Sequence, residues 1–238
     1  MTNAMHIAAA AAPLRREIEI RLRTAIVEGR FKPGDRLIER EMCELLGVSR
    51  ASLREALRQL EAEELVTIVP HRGPVVSDIT VEEAQQLYDV RAMLEGLAAR
   101  RFAETASDED IAVLRQALKA FADVVRGRSS VPLPTAKAGI YEVLLERCGN
   151  RIAGRMLTQL NNRVGLLRST SMSQKGRVKN TLAEVTRIVE AIERRDPVGA
   201  WKATVEHVTR ASEIAIKVLR QQHEKSSGSS GNAKGRAG

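Results

Sequence analysis

The sequence predicts a mainly α-helical protein in two parts: three helices with a short β-hairpin, followed by an antiparallel bundle of about six helices. Three observations carry this. Aromatic residues make up only 3% of the 238 residues, while Leu, Ala, Arg and Glu are plentiful, a composition that favours helix over sheet. Apolar residues recur at three- and four-residue spacing from residue 14 to about 222. One stretch alone, Leu65 to Val69 (LVTIV), reads as a β-branched strand.

The first 13 residues contain an alanine run and Pro13, lack the basic start and apolar core of a signal peptide, and read as a disordered extension. Met1 and Met5 are both possible starts. Leu14, Ile18, Leu22 and Ile26 then mark a helix that ends at Gly29, and Pro33-Gly34 makes a turn. Glu39 to Leu46 is a short helix with Met42, Leu45 and Leu46 expected to face inward. The chain turns at Gly47 and restarts at Ser49, whose hydroxyl suits an N-cap. Leu53, Leu57 and Leu60 form the buried stripe of the next helix, flanked by Arg50, Arg54 and Arg58. Two short strands around Pro70-His71-Arg72-Gly73 follow. Three helices and such a hairpin make a winged helix-turn-helix over residues 14–78, a shape suited to the major groove.

From residue 79 to 222 the pattern is helical throughout. Thr80 and Glu83 form a potential capping box for a long helix to about Glu104. Ser107 caps the next, with Ile111, Leu114, Leu118, Phe121 and Val125 in register. Thr135 to Cys148 is a third; Ile152, Met156, Leu160, Val164 and Leu167 mark a fourth, which frays near Ser169. Val178, Leu182, Val185, Ile188, Val189 and Ile192 mark a fifth, and Asp196-Pro197 opens the last. Residues 223–238 read as a disordered tail.

Composition narrows the function. The formal charge of +8 suggests a polyanionic partner. Yet residues 1–80 hold 12 basic and 12 acidic residues, residues 81–173 hold 13 and 11, and residues 174–238 hold 13 and 7. Placement of particular arginines, not bulk charge, must therefore support DNA binding. Spaced arginines are by themselves most often a solvated helix face. Scarce aromatics argue against single-strand binding by base stacking. Cys43 and Cys148 sit in unrelated contexts and fit a reducing cytoplasm. No apolar run approaches the ~20 residues needed to span a bilayer. The four scattered histidines offer no nucleophile–base pair, and GxSxG, P-loop and dinucleotide fingerprints are missing from the sequence, so no catalysis is expected.

The stretch from Gly29 to Val76, GRFKPGDRLIEREMCELLGVSRASLREALRQLEAEELVTIVPHRGPVV, resembles the DNA-binding domain of GntR-type bacterial transcription regulators. The helical remainder is similar to the FadR-like subgroup, whose effector domain is called FCD. It does so through LYDVRAMLEGLAAR (Leu87–Arg100), LLERCGN (Leu144–Asn150) and EVTRIVEAIERRDPVGAWKATVEHV (Glu184–Val208). The resemblance implies DNA contacts from Arg40, then from Ser49, Arg50, Ser52 and Arg54, and from His71, Arg72 and Gly73 at the wing. It implies a cytoplasmic homodimer on a palindromic operator in double-stranded DNA, mostly repressing, and tuned by a small effector. A DNA-binding dimer without an effector is the alternative.

Many FCD domains hold a divalent metal through Asp-x3-His on one helix and a histidine on each of two later helices. The matching positions here are Lys137, Tyr141, Val185 and His207, so no metal and no other cofactor are expected. Lys137 could pair an effector carboxylate instead, with Tyr141 and His207 as hydrogen-bond partners and Arg91 as a second cation. Alternatively, Lys137 snorkels to solvent and His207 is a satisfied core residue.

Overall fold

The computed structural model describes residues 12–172 and 176–231, which form two compact units that divide after Ile79. The first unit comprises α1 (Ala12–Val27), α2 (Glu39–Leu46), α3 (Arg50–Ala62), β1 (Val66–Val69) and β2 (Gly73–Val76). Ile18, Leu22 and Ile26 of α1 and Leu53, Ala56, Leu57 and Leu60 of α3 are all buried. Leu37, Met42, Leu65, Val66 and Val76 join them in the core. Arg23 of α1 grips Glu63 at the end of α3 through two hydrogen bonds of 2.8 and 2.7 Å, fixing the angle between the two helices.

The strands pair antiparallel, with Val66 opposite Val76 and Val69 opposite Gly73. The segment after α1 adds a third edge. Gly34 and Leu37 donate to the carbonyls of Val76 and Pro74, and Val76 donates back to Asp35. The connection after α1 thus pairs with β2 without apolar alternation to announce it, because only Leu37 of that stretch enters the core.

Two expected core residues of this unit are exposed, Leu14 at 48% and Leu45 at 70%. In α2, Met42 and Leu46 lie four residues apart and share the inward face, while Leu45 turns toward solvent.

The second unit is a bundle of six helices among the described residues: α4 (Val81–Thr105), α5 (Asp108–Val125), α6 (Leu133–Arg147), α7 (Arg151–Met172), α8 (Arg177–Glu193) and α9 (Pro197–Gly231). Phe102 of α4, Leu114 and Phe121 of α5, Ile140 and Leu144 of α6, and Ile188 and Ile192 of α8 make its main core. The helix α4 lies closely against α9. A Cβ placed on Gly96 would sit 3.0 Å from the Trp201 ring, so glycine sets that close approach.

The caps largely follow the sequence. Ser107 and Asp110 form a complete capping box, and Asp196 accepts from the Gly199 amide at 2.8 Å. At Thr80 only half of the expected box exists: its hydroxyl accepts from the Glu83 amide, but the Glu83 carboxylate is taken by Arg163 of α7.

In α7 the buried face is Ala153, Leu157 and Val164, while the expected Ile152 and Met156 are 63% and 48% exposed. Leu157 packs with Ala98 and Cys148, and this contact turns the first two turns by one residue. The last helix continues to Gly231, past the expected end near Gln222 and into the stretch expected to be a disordered tail. Residues 1–11 and 232–238 of the expected disordered ends lie outside the described residues. Among the described residues no helix is long and apolar enough to cross a membrane.

Candidate nucleic-acid interface and buried polar site

Gly47 closes α2 in the left-handed conformation at φ 66°, with its amide bonded to the Cys43 carbonyl. Two residues later Ser49 caps α3: its hydroxyl accepts from the Ser52 amide at 3.2 Å, and the two serine hydroxyls lie 3.0 Å apart. Ser49 and Ser52 therefore build the start of α3 as well as lining it. Arg50, the first residue of α3, is exposed and makes no ion pair among the described residues. Arg54 is also exposed, but its Nε donates to both Glu39 oxygens, at 2.9 and 3.0 Å. That carboxylate raises the Arg54 pKa further. Arg58 pairs with Glu55 within its own helix. The three arginines are thus not equivalent. Arg50 presents its full charge at the positive end of the helix, where backbone N–H groups also favour phosphate.

The wing turn is tight. Arg72 donates its amide to the Val69 carbonyl at 3.1 Å, with Pro70 and His71 as the central residues. His71 adopts φ 62° and Gly73 φ 83°. A positive φ is free for glycine and costs a histidine about 1–2 kcal/mol. His71 and Arg72 are both exposed, and one Arg72 nitrogen reaches the Gly34 carbonyl at 3.3 Å. Arg40 is exposed on α2.

The Glu39–Arg54 pair gives a first expected result. Glu39→Gln should strengthen operator binding a few-fold at low salt and steepen the slope of log K against log salt by up to about one. Fluorescence anisotropy over a salt series measures both. An unchanged slope would mean that Arg54 does not face phosphate.

The second unit buries a polar cluster where α4, α6, α8 and α9 meet. Arg91, Glu95, Lys137, Tyr141, Glu184 and His207 are each at most 8% exposed. Arg91 Nε donates to Glu95 Oε1 at 2.6 Å. The Arg91 guanidinium lies 5.5 Å from the Tyr88 ring centroid and 6.0 Å from that of Tyr141, and the Lys137 ammonium lies 5.8 Å from Tyr141. Lys137 is thus inside and does not reach out to solvent.

A hydrogen-bond chain runs across the site. Tyr141 Oη lies 3.0 Å from His207 Nε2, and His207 Nδ1 lies 2.6 Å from Glu184 Oε2. Arg177 Nη1 donates to Glu184 Oε1 at 2.8 Å. Burial holds His207 down to about 4, and the Lys137 charge adds to this, against the pull of Glu184. The imidazole is therefore neutral at pH 7. A neutral ring beside an ionised carboxylate carries its proton on Nδ1, so Nε2 accepts from the Tyr141 hydroxyl. Burial pushes Glu184 up, but hydrogen bonds from His207 and Arg177 outweigh it and hold the carboxyl at about 2. A cavity of about 10 Å³ adjoins the cluster, walled by Glu95, Tyr141, Thr204 and aliphatic side chains.

Comparison with known proteins agrees with both halves of the chain. Residues 14–76 match the model of bacterial regulatory proteins of the gntR family, and residues 86–210 match the FCD domain. The chain belongs to the GntR family of transcription regulators, in the group with an FCD domain. It is 26% identical to the "Uncharacterized HTH-type transcriptional regulator YdhC" of Bacillus subtilis (strain 168), over 85% of this chain and 91% of that protein. It is 24% identical to the "HTH-type transcriptional repressor RspR" of Escherichia coli (strain K12), over 89% of this chain and 92% of the relative. The solved structure "E. coli McbR/YncC" superposes with a TM-score of 0.75 at 21% identity, covering 88% of this chain and 98% of that one. This GntR-family chain is a regulator, not an enzyme.

In this FCD domain the four residues singled out from the sequence, Arg91, Lys137, Tyr141 and His207, lie in one buried cluster. The donor set does not fit a divalent metal. Val185 has no ligand atom, Lys137 is cationic, and His207 Nε2 is engaged by Tyr141. Among the described residues no three His, Cys, Asp or Glu side chains converge on a point.

Sequence reasoning missed Glu184, Arg177 and Glu95. The signal was present in register: Arg177, Thr181, Glu184 and Ile188 recur at helical spacing on one buried stripe, as do Arg91 and Glu95. A charged residue on an apolar stripe must find a buried partner.

Proposed function

We propose that this regulator is a homodimeric repressor that reads a palindromic operator in double-stranded DNA and loosens or tightens its hold when a small organic acid binds the FCD domain. The exposed, unpaired Arg50 at the start of α3 carries the first half of this reading. An arginine there reaches a guanine edge or a phosphate, while Arg40 and the wing residues His71, Arg72 and Gly73 add backbone contacts. Ser49 and Ser52 hold the helix end in shape, and Arg54 completes the set once free of Glu39. Two such units in a two-fold dimer match two half-sites. A relative named as a repressor supports the sign of regulation.

The buried cations carry the second half. Arg91 and Lys137 both lie beside the Tyr141 ring and supply positive charge for a carboxylate, with Tyr141 and His207 alongside. An acid that favours one state of the dimer by about 1–3 kcal/mol changes operator affinity 5- to 150-fold. The experiment is operator binding with a panel of carboxylic acids at millimolar concentration. Lys137→Ala should weaken the acid response at least tenfold and leave acid-free operator binding unchanged. An unaltered response in that variant removes Lys137 from the site.

The small cavity favours one competing reading, an effector-independent DNA-binding dimer. In that case no acid changes either operator affinity or thermal stability.

A further inference from the structure

We infer that the acid accepted by this site is a monocarboxylate with an apolar tail, not a dicarboxylate or a hydroxylated sugar acid. The inference rests on reading the buried cluster as the effector site, and it follows from the cavity beside that cluster, which Glu95 and Tyr141 line. Beyond Glu95, Tyr141 and Thr204, the cavity wall is Ala98, Ile140, Leu144, Leu145, Val185 and Ile188. Two of the three polar groups are already engaged: Tyr141 with His207 at 3.0 Å, and the Thr204 hydroxyl with the Ala200 carbonyl at 2.7 Å. The one acceptor left open on this wall is the second Glu95 oxygen, so beyond a single hydroxyl the hydroxyls of a sugar acid entering here would lose their water without gaining a partner.

The remaining polar group is Glu95, 3% exposed, with Oε2 unpartnered. Its first oxygen is held by Arg91. A carboxylate is an acceptor only, so this free oxygen repels any ligand carboxylate that lies in the cavity beside it. Among the described residues the buried charged side chains are three basic (Arg91, Lys137, Arg177) and two acidic (Glu95, Glu184), an excess of one positive charge. One carboxylate neutralises it and two overshoot. Arg91 Nη2, also buried and unpartnered, supplies a donor for that one carboxylate.

The cavity of about 10 Å³ holds no more than a water, so the tail must part the helices around it. The wall formed by α6 is loosely fastened at its start. It starts at Pro132 without a side-chain cap and carries Gly139 in mid-helix, where glycine costs about 1 kcal/mol relative to alanine. Displacement of α6 by the tail is the step that would carry the ligand signal.

The test is calorimetric titration of the full-length protein with acetate, butanoate, hexanoate, succinate and gluconate. Affinity should rise about fourfold for each added methylene in the monocarboxylates, with succinate and gluconate inert. The gradient should vanish in Lys137→Ala, which removes the carboxylate anchor. If succinate or gluconate binds and Lys137→Ala abolishes it, the effector site stands and this assignment of ligand class is overturned. A methylene gradient that survives in Lys137→Ala places the tail elsewhere and also overturns it. If no acid binds while operator binding is intact, the effector reading itself fails, and this inference with it.

Discussion

Replacing Glu184 with alanine should destabilise the helical unit by about 3–5 kcal/mol, the usual cost of breaking a buried ion pair from one side. Glu184 is 4% exposed and takes one hydrogen bond from His207 and one from Arg177, which is itself 5% exposed. Without the carboxylate, Arg177 keeps a buried charge with no counter-ion at hand, and His207 Nδ1 loses its acceptor. Arg210 lies 3.8 Å from the same carboxylate but is 44% exposed, so its loss of a partner matters little. For a chain of this size, ~1 kcal/mol corresponds to roughly 2–4 °C, so the thermal midpoint should fall by about 10 °C. Circular dichroism at 222 nm follows it. A fall of less than ~2 °C would show that Arg177 relaxes into solvent and that the cluster is not cooperative.

Acid should weaken the same unit, and the window follows from His207. Its ordinary value of 6.5 drops to about 4 in the fold, chiefly through burial. The unfolded chain therefore binds a proton that the folded chain refuses. The contribution is fully present above pH 6.5, is lost progressively as the pH falls toward 4, and is of the order of 3 kcal/mol. Glu184 shifts the same way, from 4.5 to about 2, and adds its own loss below pH 4.5. Urea unfolding at pH 7, 6 and 5 measures the first window, since the loss between 6.5 and 5 precedes Glu184. His207→Gln should flatten that dependence. An equal slope in the variant would assign the acid sensitivity to other groups.

Much of this fold is legible in the sequence because local chemistry and tertiary need coincide. Gly47 and Ser49 mark the turn before α3 by what their backbones and side chains can do, and the structure uses both in that way. The same holds for Ser107, Asp110, Asp196 and Pro197 at the helix starts. Where apolar residues outnumber buried positions, spacing alone does not choose among them. Leu14, Leu45, Ile152 and Met156 fit a helical stripe and face solvent. The third edge formed by Gly34 to Leu37 is a main-chain matter that side-chain patterns cannot announce.

The buried site was half legible. Positions inherited from a metal site pointed to Lys137, Tyr141 and His207. That pattern falls on Val185, and the carboxylate that His207 needs comes from Glu184, one residue earlier. Basic residues on α3 were legible as a row, but their differences were not. Only side-chain positions separate the unpaired Arg50 from Arg54 on Glu39 and Arg58 on Glu55.

That difference is where the central claim is tested most directly. Anisotropy of a labelled operator fragment should be compared for the unaltered protein, Arg50→Ala and Arg58→Ala at one fixed salt concentration. If the N-terminal end of α3 enters the groove, Arg50→Ala loses about 1–3 kcal/mol, roughly 5- to 150-fold in affinity, with its circular dichroism unchanged. Arg58→Ala, two turns further on and paired within its own helix, loses less than about threefold. Equal losses in the two variants, or none in Arg50→Ala, would contradict the account and make α3 a scaffold.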